Sequence, residues 1–374
     1  LTWERIRGAL TDPKMRQAVW NILWSRDYSL YASLTGETLD PPKNWPLEDR
    51  MRIYIRKDIA AQVSGLALQS SQIADLQPKV DVYASKRIEQ PPSRVVTPVG
   101  LNAPRNFAFA PDGSVYIADS GNSQIVHASA DGKLIAAWGS RTPDQQAPAQ
   151  PGTFNEPWGI VVDAQGNVYV TDTWNHRIQK FDASGKFLLQ WGKGGLSADS
   201  PDNFWGPRGI LIGPNGDIYV TDTGNRRVAV FDAQGKYLFE FEKSADAQLN
   251  EPVGIALGGD QRIYVADTWN NRVAIFDPQG KYITSFAVQA WDSSSINNKP
   301  FIAVDGAGQV YVTDPEGGRV IVFKSTGEPL AAFGQTAASG GLTLPTGIQV
   351  DAQGELWVAD AGNNRLVVYP TLKP

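Results

Sequence analysis

Apolar and polar positions alternate with a period of two through most of the chain, in short runs closed by Gly-containing turns. Six segments share one outline, beginning at Leu101-Asn-Ala-Pro, Phe154-Asn-Glu-Pro, Phe204-Trp-Gly-Pro, Leu249-Asn-Glu-Pro, Asn298-Lys-Pro and Leu344-Pro. An apolar run such as Gly-Ile-Val-Val-Asp follows, then a turn such as Asp163-Ala-Gln-Gly-Asn167, then a second β-rich run of the type Val-Tyr-Val-Thr-Asp. The second run ends at Asp119, Asp172, Asp222, Asp267, Asp314 and Asp360, at spacings of 53, 50, 45, 47 and 46 residues. A third run, a tight Gly-Lys turn and a fourth run complete each unit. Four short strands per unit of about 45 residues predict a β-propeller blade. A helical solenoid would need a 3.6-residue period, which the repeats lack.

The predicted fold class is therefore an all-β, six-bladed propeller of four-stranded antiparallel blades, with a small α-helical N-terminal segment. The sixth copy stops at Tyr369, one strand short. Ser93-Arg-Val-Val-Thr-Pro-Val-Gly100 stands in register with the fourth strands elsewhere, so residues 93–100 are expected to complete the last blade against 365–369. Closing the ring in this way removes an exposed sheet edge. The organisation read from the sequence is a helical segment over 1–70, an extended strap over 71–92 and the propeller over 93–374. Asp12-Pro13 starts one helix, with Trp20, Leu23, Trp24, Tyr28 and Tyr31 at helical spacing. Ile55, Ile59, Val63 and Leu66 stripe a second helix over about 48–68.

The pattern Pro…Gly-Ile-x-Val-Asp…Val-Tyr-Val-Thr-Asp-Thr-x-Asn-x-Arg resembles the NHL repeat, and that resemblance covers residues 101–369. It implies a six-bladed propeller. Departures sit in the outer copies: Gln124 replaces the arginine seen as Arg177, Arg227, Arg272, Arg319 and Arg365. In the fifth copy Gly317 replaces Asn, and Ile302 aligns with Gly159, Gly209, Gly254 and Gly347. Residues 2–31 and 45–60 resemble the soluble tail of bacterial membrane glycosyltransferases of the dolichyl-phosphate-mannose type, some of which carry NHL repeats. That resemblance implies a membrane-associated parent protein at the extracytoplasmic side of the cell envelope. It carries over no catalytic residue, because the catalytic carboxylates of that family lie in its multi-span part.

Composition narrows the chemistry. With no cysteine, the chain has no disulfide, thiolate metal site or cysteine nucleophile. No apolar stretch approaches the 18 or so residues of a membrane span. Residues 1–95 carry 14 Lys and Arg against 11 Asp and Glu; residues 96–374 carry 20 against 28. An acidic body repels a phosphate backbone, which argues against nucleic acid as a partner. The start at Leu1 reads as a processed product or the tail of a longer chain.

The recurrent Asp…Asn…Arg set reads as structural because nearly every blade repeats it, so site residues should be those that break the symmetry. His127 and His176 are the only histidines. They fall in different blades, so a zinc site of three His is impossible, and no cofactor is expected. A calcium site of Asp and Asn in the channel stays open, since the sequence hides which carbonyls converge. His127 reads as an outward surface residue. In a propeller, the loops entering the first strands and those joining the second and third strands emerge on one face. Here they hold Arg105, Trp158, Trp174, His176, Trp205, Arg208 and Trp269, and the longest insertions (140–152, 193–203 and 288–298) join them, the last with Trp291. Exposed Trp with Arg can anchor a protein or stack on sugars. The function read from this is a non-catalytic interaction module that binds a protein partner through the insertion-bearing face. The alternatives are a glycan-binding module serving a glycosyltransferase, and a metal-dependent lyase or hydrolase in the channel.

Overall fold

The computed structural model describes residues 81–143, 149–241, 248–293 and 299–372. The chain divides into two compact units, Leu1–Asp81 with Ser295–Asn297, and the remainder. The first lies outside the described residues apart from Asp81, and with it the helical segment expected over 1–70 and the glycosyltransferase-like stretches.

The second unit is a six-bladed β-propeller. Blades 1 to 5 span 104–138, 157–191, 207–241, 252–287 and 302–333, and blade 6 spans 345–370; each orders its strands antiparallel from first to fourth. Blade 6 takes its fourth strand from the front of the unit. Arg94–Val96 pairs antiparallel with the third strand in the register Arg94↔Val368, Val95↔Val367, Val96↔Leu366. The first strands of successive blades pack side by side, and that of blade 6 returns to blade 1, so the ring closes. Ahead of this, Ala84–Lys86 forms a single 3₁₀ turn, and Arg87 bridges in parallel to Ala332 on the outer strand of blade 5. Among the described residues no helix is long and apolar enough to cross a membrane.

The alternation in the sequence becomes blade-to-blade packing. Second and third strands are buried on both faces because each blade is covered by two neighbours. Fourth strands alternate, leaving Ile135, Leu188, Leu238 and Ile283 exposed on the outer rim. First strands approach one another most closely at a glycine. A Cβ at Gly159 would overlap the Arg208 carbonyl, and one at Gly209 the Val253 carbonyl.

Blade 5 departs from this rule and corrects the alignment read from the sequence. Ile302 pairs with Val312 as Ile160 pairs with Val170, so Ile302 matches the isoleucine and Phe301 takes the glycine position. The Phe301 amide donates to Thr313 Oγ1 at 2.8 Å, as Gly159 donates to Thr171 Oγ1 at 2.7 Å. The copy runs in step with the others without a gap, which places Lys299 where the other blades have proline.

Candidate functional site

The repeated Asp, Asn and Arg organise the loops of one face. In blade 3, Asp222 accepts three hydrogen bonds: from the Trp205 amide (2.7 Å), Asn225 Nδ2 (2.8 Å) and Arg227 Nε (2.9 Å). Asp119, Asp172, Asp267 and Asp360 likewise accept from the amides of Asn102, Asn155, Asn250 and Thr343. The arginine then holds the loop carbonyls. Arg177 donates to Ala149, Gln150 and Thr153, and Arg227 to Pro201 and Asn203. Burial pushes the Asp172 and Asp222 carboxyls up, against the opposing pull of the arginine and amide donors. These side chains hold the loops of this face, and the aspartates among them are buried. In blade 1, Gln124 keeps the bond to Asp119 at 2.7 Å but lacks the reach of an arginine.

These anchors bring two sets of loops together. The turn between second and third strands donates back to the loop entering the first: Trp174 N to Asn155 O, Gly224 N to Trp205 O and Trp269 N to Asn250 O. The face therefore carries the residues that differ from blade to blade.

Six of the eight candidates named from the sequence form one continuous chain of contacts. The Arg105 guanidinium lies 4.8 Å from the Trp158 ring centre, and that of Arg208 lies 4.7 Å from it. Arg208 also lies 5.5 Å from the Trp174 ring. Trp174 meets His176 edge-on at 6.3 Å, and His176 stacks on Trp205 at 5.5 Å. His176 Nδ1 accepts from the Gly206 amide at 3.0 Å, and burial pushes its imidazole below the usual value, so the ring is neutral near pH 7. Trp205 is 51% exposed and lies over Gly224, where any Cβ would collide with its indole.

Four placements differ from the exposure expected from the sequence, Arg208 among them at 3% exposed. Trp158 is fully buried. Its indole reaches Phe301, with ring centres 6.4 Å apart. Blades 2 and 5 are diametrically opposed in a ring of six, so these two side chains bridge the channel. Trp291 is also buried, and its Nε1 donates to the Thr313 carbonyl at 3.0 Å. The 288–293 stretch folds inward there because a 3₁₀ turn over Gln289–Ser293 packs the indole into the core of blades 4 and 5. His127 is buried rather than outward: it stacks on Tyr116 at 4.0 Å, and its Nε2 lies 2.7 Å from Ser114 Oγ.

Trp269, the eighth candidate, is half-buried beside a group the sequence reading missed. Lys299 is fully buried, with Nζ 5.1 Å from the Trp269 ring and 3.1 Å from Glu251 Oε2. Burial pushes its ammonium down to about 8, with Arg208 adding to the effect and Glu251 opposing it. Glu156 was missed too; it accepts from Trp174 Nε1 at 2.9 Å. A signal existed: only blades 2 and 4 pair an Asn-Glu-Pro loop with a tryptophan in the following turn. Among the described residues, no group of three or more His, Asp or Glu is placed to hold a metal ion.

Known proteins place this arrangement. The NHL repeat matches residues 154–181, 204–231, 249–276 and 342–369, the cores of blades 2, 3, 4 and 6. Protein brain tumor of Drosophila melanogaster is 52% identical over 44 residues, 12% of this chain and 4% of that protein. The B-box type zinc finger protein ncl-1 of Caenorhabditis elegans is 54% identical over 39 residues, 10% of this chain and 5% of that one. The match thus spans about one twentieth of the length of these relatives. A gluconolactonase of Xanthomonas campestris superposes with a TM-score of 0.56 at 17% identity, covering 76% of this chain and 94% of its own. Virginiamycin B lyase from Staphylococcus aureus superposes at 0.52 and 20% identity, covering 75% and 89%. At such identities the shared property is the fold. The chain carries NHL repeats, built into a six-bladed β-propeller.

Proposed function

We propose that this propeller is a non-catalytic interaction module that docks a protein partner on the face holding Trp174, His176, Trp205 and Trp269. The observation that carries this reading is Trp205. A half-exposed indole stacked on a neutral imidazole, with its backbone fixed by Asp222, is a pre-organised aromatic anchor of the kind that dominates protein interfaces. The channel offers less, because Trp158 and Phe301 meet across it. This weighs against carrying lyase or lactonase activity over from the structural relatives. The likeness of residues 2–31 and 45–60 to glycosyltransferase tails supports a place at the extracytoplasmic side of the cell envelope.

The test is a photo-crosslinking amino acid placed at 205 in the full chain, with one at 188 on the outer rim as control. A discrete protein adduct at 205 and not at 188 is expected. Saturable oligosaccharide binding that is lost in Trp205→Ala, without a protein adduct, would replace this reading with a glycan-binding one.

A further inference from the structure

We propose that the surface at Trp205 receives a proline-rich, extended segment of the docked protein, with a proline ring on the indole and carbonyls accepting from Trp205 Nε1 and His176 Nε2. This rests on the reading of the face as a docking surface and adds the chemistry of what docks there.

These two residues break the repeat at neighbouring points. The position whose amide the repeated aspartate holds is Asn102, Asn155, Trp205, Asn250 and Thr343 in blades 1, 2, 3, 4 and 6, so among these only blade 3 carries an indole there. The left-handed residue closing the turn between second and third strands is Ser123, His176, Arg226, Asn271 and Asn364 in the same blades. In blade 6 that residue caps the next blade: Asn364 Oδ1 accepts from the Ala103 amide at 2.8 Å. His176 does the same for the Gly206 amide through Nδ1, at 3.0 Å. A neutral imidazole that accepts at Nδ1 carries its proton on Nε2. Neither that Nε2–H nor the Nε1–H of Trp205 has an acceptor among the described residues. The stacked pair therefore leaves open two donors and, on Trp205, half of an indole surface.

A run of prolines complements such a surface. Proline lacks the backbone N–H, so the run presents carbonyl acceptors and no donor that docking would leave unpaired. Its rings pack on aromatic side chains, and its polyproline II helix is already ordered before it binds. The receptor is ordered as well. Asp222 holds the Trp205 amide, the Gly224 amide donates to the Trp205 carbonyl, and the missing Cβ of Gly224 lets the indole lie flat over the turn. Two pre-formed surfaces lose little freedom on meeting. A saccharide fits less well, since each of its hydroxyls brings a donor with its acceptor. RNA fits less well too, since residues 96–374 carry 28 acidic against 20 basic side chains and would repel an extended phosphate backbone.

The experiment uses the full chain and three fluorescein-labelled probes, decaproline, a decapeptide of alternating Gly and Ser, and octauridylate, read by fluorescence polarisation at low and high salt. Decaproline should bind with little salt dependence, because neither surface is charged, and the Gly-Ser peptide should bind at least about tenfold more weakly. Trp205→Ala should weaken decaproline binding by about tenfold or more. Trp205→Phe, which keeps a ring and removes the Nε1–H, should weaken it by about two- to tenfold. His176→Asn imports the cap used by blade 6, keeps an acceptor for the Gly206 amide and should cost a similar factor through the lost Nε2–H. Leu188→Ala, on the outer rim, should leave binding unchanged. Melting curves establish that each variant is folded. Equal binding of the Gly-Ser peptide, tighter binding of octauridylate, or an equal loss in Leu188→Ala would overturn the inference. If decaproline fails to bind while crosslinking at 205 still gives a protein adduct, the proline receptor falls and the docking face stands. If both fail, the docking face falls as well.

Discussion

Arg227 Nε lies 2.9 Å from Asp222 Oδ2, with both side chains fully shielded from water. The same arginine donates to the carbonyls of Pro201 and Asn203, so one side chain ties the end of a core strand to a surface insertion. Replacing one member of such a pair leaves a buried charge without its counterion. Arg227→Gln, which imports the solution used by blade 1, should cost about 3–5 kcal/mol in urea unfolding. Arg365→Gln, at a pair where the arginine side chain is 23% exposed, should cost about 1–2 kcal/mol because water takes over part of the role. Equal losses at the two sites would show that burial does not set the worth of these pairs.

Close approach of the first strands predicts a sharp contrast between glycines. At Gly209 a methyl group meets backbone, the Val253 carbonyl, which side-chain rotation cannot relieve. Gly209→Ala should therefore destabilise by about 3 kcal/mol. Gly306 has open space around it and an ordinary backbone conformation, so Gly306→Ala should change stability by less than about 0.5 kcal/mol. Thermal melts of both variants decide the point.

Lys299 predicts an unusual pH dependence. Its folded value of about 8 lies below the unfolded 10.5, so between these values the unfolded chain holds more protons. Stability contributed by this residue accordingly rises with pH across that window, by about 3 kcal/mol in total. Lys299→Met lacks this contribution. Subtracting its unfolding free energy from that of the unaltered chain cancels the tyrosines and leaves a difference that climbs from pH 8 to 10.5. A flat difference would show that the ammonium is better solvated than its burial implies.

The closing strand can be probed by its own alternation. Val96 is 3% exposed and packs with Leu366 and Val368 in the core between blades 6 and 1, whereas Val95, one residue earlier, is 45% exposed. Val96→Asp should cost about 3 kcal/mol or more and promote association through the opened edge of blade 6. Val95→Asp should be close to neutral. Light scattering and melting of the two variants measure this difference, and similar behaviour in both would mean that the strand is not pinned in this register.

Strand number, blade number and the anchoring role of the repeated aspartate follow from period-two alternation and a regular spacing of invariant turn chemistry. These are local properties, and each repeat states them again. The direction a side chain faces in a finished ring is a different matter. Trp158, Arg208 and Val253 occupy the same repeat position, yet one crosses the channel, one stacks on it and one lines a core, because the outcome depends on what the other five blades place opposite. The first strand of blade 5 shows the same limit. Its apolar run reads well in two alignments, and only pairing with Val312 selects the one that puts Phe301 at a glycine position and Lys299 at a proline. Trp291 and Trp205 both arise in inter-blade loops of one face, and the packing around them, rather than their spacing, buried the first and left the second in water.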